Sequence, residues 1–154
     1  MIKKINTSFE IKPSLVVLTF FSIYFVCGLF VVPDYGISWD ESAERMHGFI
    51  SGNYILEKIL PTDLYSKLLN QTINTKFSHL ENIEIPKLLE HSDRAYGVFL
   101  ELPLAFLETL IKFEEIKNVY LFRHYVIFII FYISIIYFYK YLNFFFKNKY
   151  LALI

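Results

Sequence analysis

Apolar residues are concentrated in two long segments of this chain, and most of the charged residues lie between them. Residues 15–32, LVVLTFFSIYFVCGLFVV, are eighteen consecutive uncharged residues bounded by Pro13 and Pro33. At about 1.5 Å per residue, a helix of this length covers about 27 Å, which is close to the thickness of the hydrocarbon core of a bilayer. The pattern predicts a transmembrane helix over residues 15–33.

Three lysines precede this first segment, as in a cleavable secretory signal peptide (Lys3, Lys4 and Lys12). Such signals have an apolar region of about 7 to 15 residues followed by a small-x-small cleavage site. The segment here is longer, and no such site follows it. We therefore favour a retained helix, whereas a mature amino terminus near Pro33 would indicate a secreted domain.

The second apolar segment is residues 125–139, YVIFIIFYISIIYFY, which residues 119–122 extend. It predicts a second transmembrane helix over residues 119–141. The last residues, 151–154 (LALI), have the pattern of another apolar segment that is just beginning. We expect the start of a third span there, in the amino-terminal portion of a larger multi-span protein or the product of a truncated gene.

The charges around the two segments predict the orientation of the chain. Residues 1–13 carry a net charge of +2 and residues 123–154 a net charge of +4, whereas residues 34–122 carry fourteen carboxylates and eight Lys or Arg, a net charge of −6. Lys and Arg near transmembrane helices favour the cytoplasmic side. The pattern predicts a multi-pass protein with both ends in the cytoplasm and its large loop on the extracytoplasmic side, which is the periplasm in a bacterium or a lumen in a eukaryote. The membrane we expect is the plasma (inner) membrane.

The expected fold class is an all-α membrane protein, in which two transmembrane helices flank a large extracytoplasmic loop with short surface helices. The single cysteine, Cys27, excludes an internal disulfide, and no basic patch typical of nucleic-acid binding is present. The predicted parts are a cytoplasmic tail (1–14), transmembrane helix 1 (15–33), the extracytoplasmic loop with juxtamembrane helices (34–118), transmembrane helix 2 (119–141), and a cytoplasmic turn with the start of a third span (142–154).

The loop begins with a pattern typical of a helix start. Ser38 is a good N-cap, and Glu41 follows three residues later, which is the spacing of a capping box. Apolar residues follow at helical spacing on one stripe: Trp39, Ala43, Met46 and Ile50.

Residues 96–113 are apolar enough for a third span. However, Glu101, Pro103 and Glu108 interrupt this segment, so we predict helices that lie along the outer membrane surface. Other short helices are predicted at residues 53–60, 63–70 and 86–90, and an irregular segment at residues 71–84.

Asp40 and Glu41 follow the first predicted span directly, and they have two interpretations. In the structural one, Asp40 favours the positive end of the helix dipole, Glu41 closes the capping box and Trp39 is an interface anchor. In the functional one, the carboxylates belong to an active site. We interpret His47 and His124 as interface residues rather than as metal ligands.

The order and placement of these features resemble the GT-C superfamily of polytopic glycosyltransferases, most of all the branch with protein O-mannosyltransferases and bacterial lipid A aminoarabinose transferases. The resemblance is carried by PDYGISWDE at residues 33–41, YGVFLE at residues 96–101 and RHY at residues 123–125. It covers the whole chain but only the beginning of the family's fold. The proline-containing stretch usual before the family's second surface helix is not evident here.

The resemblance implies an inverting transfer of a sugar from a polyprenyl-phosphate donor, held in membrane lipid, to an acceptor glycan, lipid or protein on the extracytoplasmic face. It also implies that Asp40 is the catalytic carboxylate and that Glu41 supports it. One ionised carboxylate suits this chemistry, because the acceptor hydroxyl needs a base while the phosphate leaving group needs no acid.

The departing phosphate does need a cation. Because the loop as a whole is negative, one particular side chain or bound ion must supply the positive charge. The candidates are Arg123, Arg94 or a bound divalent metal. Arg123 has two alternative roles. Its side chain could extend to the lipid headgroups with its stem in the apolar zone, or it could pair with Asp40 or Glu41. Glu101 is a further candidate, which could meet Asp40 through a metal or the acceptor.

A rival hypothesis is a non-catalytic, two-span membrane assembly partner or sensor whose outer loop binds another molecule. In that case the Trp-Asp-Glu sequence is only a helix cap. Many further spans in the reading frame after Ile154 would favour the enzyme, and a stop codon there would favour the rival.

Overall fold

The computed structural model describes residues 13–72, 85–149 and 151–153. In this part of the chain the regular secondary structure is helical, without strands. The predicted all-α fold is therefore confirmed for the described residues. The α-helices are α1 (Pro13–Val31), α2 (Glu41–Ile59), α3 (Thr62–Thr72), α4 (Glu101–Ile111) and α5 (Ile116–Phe146).

The chain divides into two compact units. One consists of residues 1–35 and 124–154, and it contains α1 and most of α5. The other consists of residues 36–123, and it contains α2, α3, α4 and the beginning of α5.

Two helical segments, Ser14–Asp34 and Ile116–Phe146, are long and apolar enough to cross a membrane. The predicted spans 15–33 and 119–141 lie within them. Many large apolar side chains on both helices are exposed, as expected for surfaces that face lipid or another apolar partner. Examples are Leu18, Phe30, Phe138 and Phe144.

Aromatic residues pack α1 against α5 within the first unit. The rings of Tyr132 and Phe25 are in contact at a tilt of 49°, with 4.9 Å between ring centroids. The Tyr132 hydroxyl donates to the Phe21 carbonyl oxygen and the Tyr125 hydroxyl to the Leu29 carbonyl oxygen, both at 3.2 Å. The later residue on α5, Tyr132, bonds the earlier residue on α1, Phe21, so the two helices are antiparallel. These bonds satisfy phenol groups that would otherwise lie unpaired in an apolar segment.

The second unit is built on the packing of α2 against α4. Phe49 and Ala105 form a buried apolar cluster, and Met46 and Ile85 pack against them. A Cβ atom added at Gly48 would lie 2.8 Å from the carbonyl carbon of Glu101 and closer still to its oxygen. Only a residue without a side chain allows the two backbones to approach this closely.

Helix α2 is longer than the sequence pattern predicted. The segment 53–60 was expected as a separate helix, but α2 runs on without a break to Ile59. Leu60 then takes an extended conformation, which is the preferred one before a proline such as Pro61. The predicted helix at 63–70 is confirmed by α3. Of the predicted irregular segment 71–84, residues 71 and 72 belong to α3 and the others lie outside the described residues.

Two details of the prediction are wrong. The sequence places Trp39 and Ala43 on one helical stripe with Met46 and Ile50, but Trp39 precedes α2, and both Trp39 and Ala43 are exposed. The predicted helix at 86–90 is only a 3-10 turn at Leu88–Glu90. So short a segment forms too few helical hydrogen bonds to offset the cost of nucleating an α-helix.

Helix α4 occupies part of the predicted surface-helix segment 96–113. Pro103 lies in its first turn, where a missing N–H costs no intrahelical hydrogen bond. The helix ends at Ile111, and the next residue, Lys112, takes the left-handed conformation with φ of 58°. Its buried residues, Leu104, Ala105 and Glu108, share one face.

Candidate active site

Asp40 is the N-cap residue of α2, yet its side chain does not cap the helix. Its φ and ψ are −92° and −14°, and it makes no side-chain cap hydrogen bond. Instead, the Ser38 hydroxyl donates to Asp40 Oδ1 at 2.9 Å. Among the described residues this is the carboxylate's one hydrogen bond, and the side chain is exposed. The second carboxylate oxygen is therefore accessible from solvent.

Glu41 supports the same turn from the other side. The Ser38 backbone N–H donates to Glu41 Oε2 at 3.2 Å, which is the glutamate half of the predicted capping box. The serine half is absent, because its hydroxyl bonds Asp40 instead. The N-cap residue of α2 is therefore Asp40, whereas the sequence predicts Ser38. The two bonds hold Asp40 and Glu41 in one tight turn.

A buried group of charged side chains joins α2, α4 and the beginning of α5. Arg45 Nε donates to Glu108 Oε2 at 2.8 Å. Arg123 Nη1 donates to the other oxygen of Glu108, and Arg123 Nη2 forms an ion pair with Glu101. Arg45, Glu108 and Arg123 are each no more than 5% exposed. We call these four residues the ion-pair cluster.

The cluster is positioned by simple helical spacing. Glu101 and Glu108 are seven residues apart on α4, so they share a face two turns apart. The guanidinium of Arg45 also lies over the Phe49 ring, at 5.0 Å from its centroid. Burial raises the pKa of Glu108, because desolvation disfavours the carboxylate, and the charge and hydrogen bond of Arg45 oppose that rise. The carboxylate therefore depends on the arginine for its ionised state.

The structure thus brings together two of the predicted site residues, Glu101 and Arg123. Neither forms a hydrogen bond or an ion pair with Asp40 in the described part of the chain. Arg123 contacts two carboxylates of α4, those of Glu101 and Glu108.

Arg94, the remaining predicted site residue, is exposed. Its Nη1 donates to the Leu89 carbonyl oxygen at 2.7 Å, which anchors the side chain but leaves the other donors of the guanidinium available. It lines a small cleft together with His47 and Asp93. The chain has three arginines, and the other two belong to the ion-pair cluster. Arg94 is therefore its exposed guanidinium.

The sequence reasoning missed the partners in the ion-pair cluster. Glu108 entered that reasoning only as an argument against a third span, and its contacts with Arg45 and Arg123 were not predicted. A signal was nevertheless present, since a carboxylate on an apolar helix and an arginine inside an apolar segment each need a partner of opposite charge.

In the described residues, the regular secondary structure is helical and includes two helices long and apolar enough to cross a membrane. An exposed aspartate lies at the start of the α-helix that follows the first of them. Comparisons with known protein families, with curated proteins and with solved structures gave no match to this chain.

Proposed function

We propose that this chain belongs to a membrane glycosyltransferase that transfers a sugar from a polyprenyl-phosphate donor to an acceptor on the extracytoplasmic face. The observation that carries the proposal is the state of Asp40. Its carboxylate is exposed and is not used as a helix cap, although the residue occupies the N-cap position. A purely structural aspartate at this position would be expected to bond the backbone N–H groups of the first turn.

The proposed reaction is a direct displacement at the anomeric carbon. Asp40 accepts the proton of the acceptor hydroxyl as the oxygen forms its bond to the sugar. The bond between the anomeric carbon and the phosphate oxygen breaks, and the polyprenyl phosphate leaves with the electron pair. Glu41 and Ser38 hold the turn in which Asp40 lies.

The other predicted site residues divide into two roles in this proposal. Arg94 is exposed and retains donors for a phosphate, which an arginine can bind through two parallel hydrogen bonds. Arg123 and Glu101 are positioning residues, because their charged groups contact each other and Arg123 also bonds Glu108. They fix α4 against the beginning of α5.

The proposed location of the site is the extracytoplasmic side of a plasma (inner) membrane. Two features support it. The segments Ser14–Asp34 and Ile116–Phe146 expose many apolar side chains, and the net charge is negative between them and positive outside them. A polyprenyl-phosphate donor would then lie in the same membrane as α1, whose end precedes Asp40 by nine residues.

The test replaces the gene in its host with variants and compares glycans and glycolipids by mass spectrometry. Cells without the protein should lack one sugar modification. The Asp40→Asn variant should fail to restore it while reaching the membrane at the normal level. Asp63→Asn is the matched control, because Asp63 is an exposed carboxylate in the first turn of α3, and it should restore the modification.

Topology is measured in the same strains. With Cys27 replaced by Ser, a cysteine at position 92 should react with a membrane-impermeant maleimide in intact cells, and a cysteine at position 149 only after permeabilisation. A modification restored by Asp40→Asn would contradict the role of base. Labelling with the opposite orientation would place Asp40 on the side without the expected donor and would contradict the proposal as a whole.

A further inference from the structure

Three side chains with metal-binding groups meet beside the amino-terminal half of α2. His47 belongs to α2, and His91 and Asp93 follow the 3-10 turn at Leu88–Glu90. One ligand atom from each of the three lies within 4.8 Å of the other two. His47 Nε2 and Asp93 Oδ2 are 3.8 Å apart. The function proposed above uses none of these residues.

His91 gives an independent sign that a ligand belongs here. Its ring lies edge-on to that of His47, with 5.0 Å between centroids. Its Nε2 atom is buried and has no hydrogen-bond partner among the described residues. A buried imidazole nitrogen without a partner is unfavourable, so such groups in folded proteins call for an explanation. A cation bound through Nε2 would satisfy this nitrogen.

The dimensions suit a single ion. A tetrahedral ion with bonds of about 2.1 Å holds its ligand atoms about 3.4 Å apart. The observed spacing is wider by at most about 1.4 Å than this ideal. The side chain of Asp93 is half-exposed, and rotation about its own bonds can close part of that difference. The cleft lined by these residues has room for about one water-sized group, which is too little for a sugar.

We propose that His47, His91 and Asp93 bind a divalent transition-metal ion, with Zn²⁺ as the preferred one. Two imidazoles and a carboxylate are the ligands that borderline cations of this kind favour. Three protein ligands leave at least one coordination position open, as in catalytic rather than structural zinc sites. The net charge of −6 on residues 34–122 favours the entry of a cation. This site does not depend on the proposed glycosyl transfer.

The alternative is an ion pair without metal. In that arrangement a protonated His47 would pair with Asp93, and its ring would stack on Tyr96, whose centroid is 6.0 Å away. The two arrangements differ in what His91 does, because the ion pair leaves its buried nitrogen without a partner. They also differ in whether Zn²⁺ binds the full chain.

The experiment is a calorimetric titration of the full chain, purified in detergent and treated with a chelator, with Zn²⁺. One ion per chain should bind. His91→Ala and Asp93→Asn should each weaken binding at least tenfold, whereas Glu90→Gln, an exposed neighbour outside the cleft, should leave it unchanged. Circular dichroism spectra of each variant show whether the fold is retained. Asp93 is half-exposed, so its conservative replacement keeps the test decisive even if His91→Ala misfolds.

Two results would overturn the proposal. One is the absence of stoichiometric Zn²⁺ binding to the wild-type chain, which would leave the ion pair of His47 with Asp93. The other is equal affinity in the wild type and in Asp93→Asn, which would show that the ion is held elsewhere. Both results are measured as Zn²⁺ binding, without any assay of glycosyl transfer. Failure of the metal-site proposal can therefore be distinguished from failure of the catalytic role proposed for Asp40.

Discussion

Replacement of Gly48 by alanine tests the close approach of α2 and α4. The added Cβ would lie 2.8 Å from the Glu101 carbonyl carbon, whereas ordinary van der Waals contacts begin at 3.4 Å. Because the clash is with backbone rather than a side-chain end, the helices must separate. Overpacking of this kind costs about 1–3 kcal/mol, and alanine regains about 0.5–1 kcal/mol of helix propensity. Taking the middle of each range, we expect a net loss of about 1 kcal/mol in the free energy of unfolding.

Gly52→Ala on the same helix is the matched control. The nearest atom to its added Cβ is Leu102 Cδ1 at 3.3 Å, the end of a flexible side chain. This variant should gain about 0.5–1 kcal/mol, so the two should differ by about 2 kcal/mol, or about 4–8 °C in Tm. Thermal unfolding in detergent, followed by far-UV circular dichroism, measures the difference. Equal stability of Gly48→Ala and Gly52→Ala would refute a backbone contact at this position.

Two further predictions concern buried polar contacts. Glu108→Ala removes the carboxylate that bonds two buried arginines, and it should lower the free energy of unfolding by about 3–5 kcal/mol in the same experiment. Glu114→Ala, at an exposed position, should change it by less than about 0.5 kcal/mol. Similar losses in the two variants would contradict the ion-pair cluster. Tyr132→Phe keeps the ring between α1 and α5 but removes its hydroxyl bond, and should cost about 0.5–1.5 kcal/mol. The exposed Tyr137→Phe should be neutral, and a loss of the same size there would show that the bond is not the cause.

The two apolar helices could be predicted from the sequence because their signal is local. A run of eighteen uncharged residues needs no knowledge of its neighbours to be identified as a helix of spanning length. The same is true of the stop of α2 before Pro61, which follows from the stereochemistry of one residue. All three features are confirmed at or near their predicted positions.

The helix start at Asp40 was predicted only in part, because two hydrogen-bonding patterns compete for one hydroxyl. The sequence places Ser38 and Glu41 at capping-box spacing, and the glutamate half of that pattern forms. The Ser38 hydroxyl, however, can bond either a backbone N–H or the neighbouring carboxylate, and it bonds Asp40. Local spacing does not decide between these partners, since the choice depends on where the chain enters the helix.

The ion-pair cluster and the histidine cleft depend on contacts between residues far apart in the sequence. Arg45 and Glu108 are 63 residues apart, and no periodic pattern relates them. His47 meets His91 and Asp93 only because the segment after Leu88–Glu90 returns to α2. With one sequence, unpaired charges in apolar segments indicate that partners exist, but only the packed helices show which ones.

The polar and the close-packed contacts of α2 with α4 specify the same register. A buried ion pair is weak evidence for stability, because desolvation offsets most of its attraction. Its value here is geometric: a shift of one helical turn would separate Arg45 from Glu108 and would move Gly48 away from the place where it passes Glu101. Since Asp40 begins the helix that carries Arg45 and Gly48, the register also fixes the start of α2 relative to α4. The ion-pair cluster therefore affects the position of Asp40 through the placement of α2. It does so without contact with the Asp40 carboxylate.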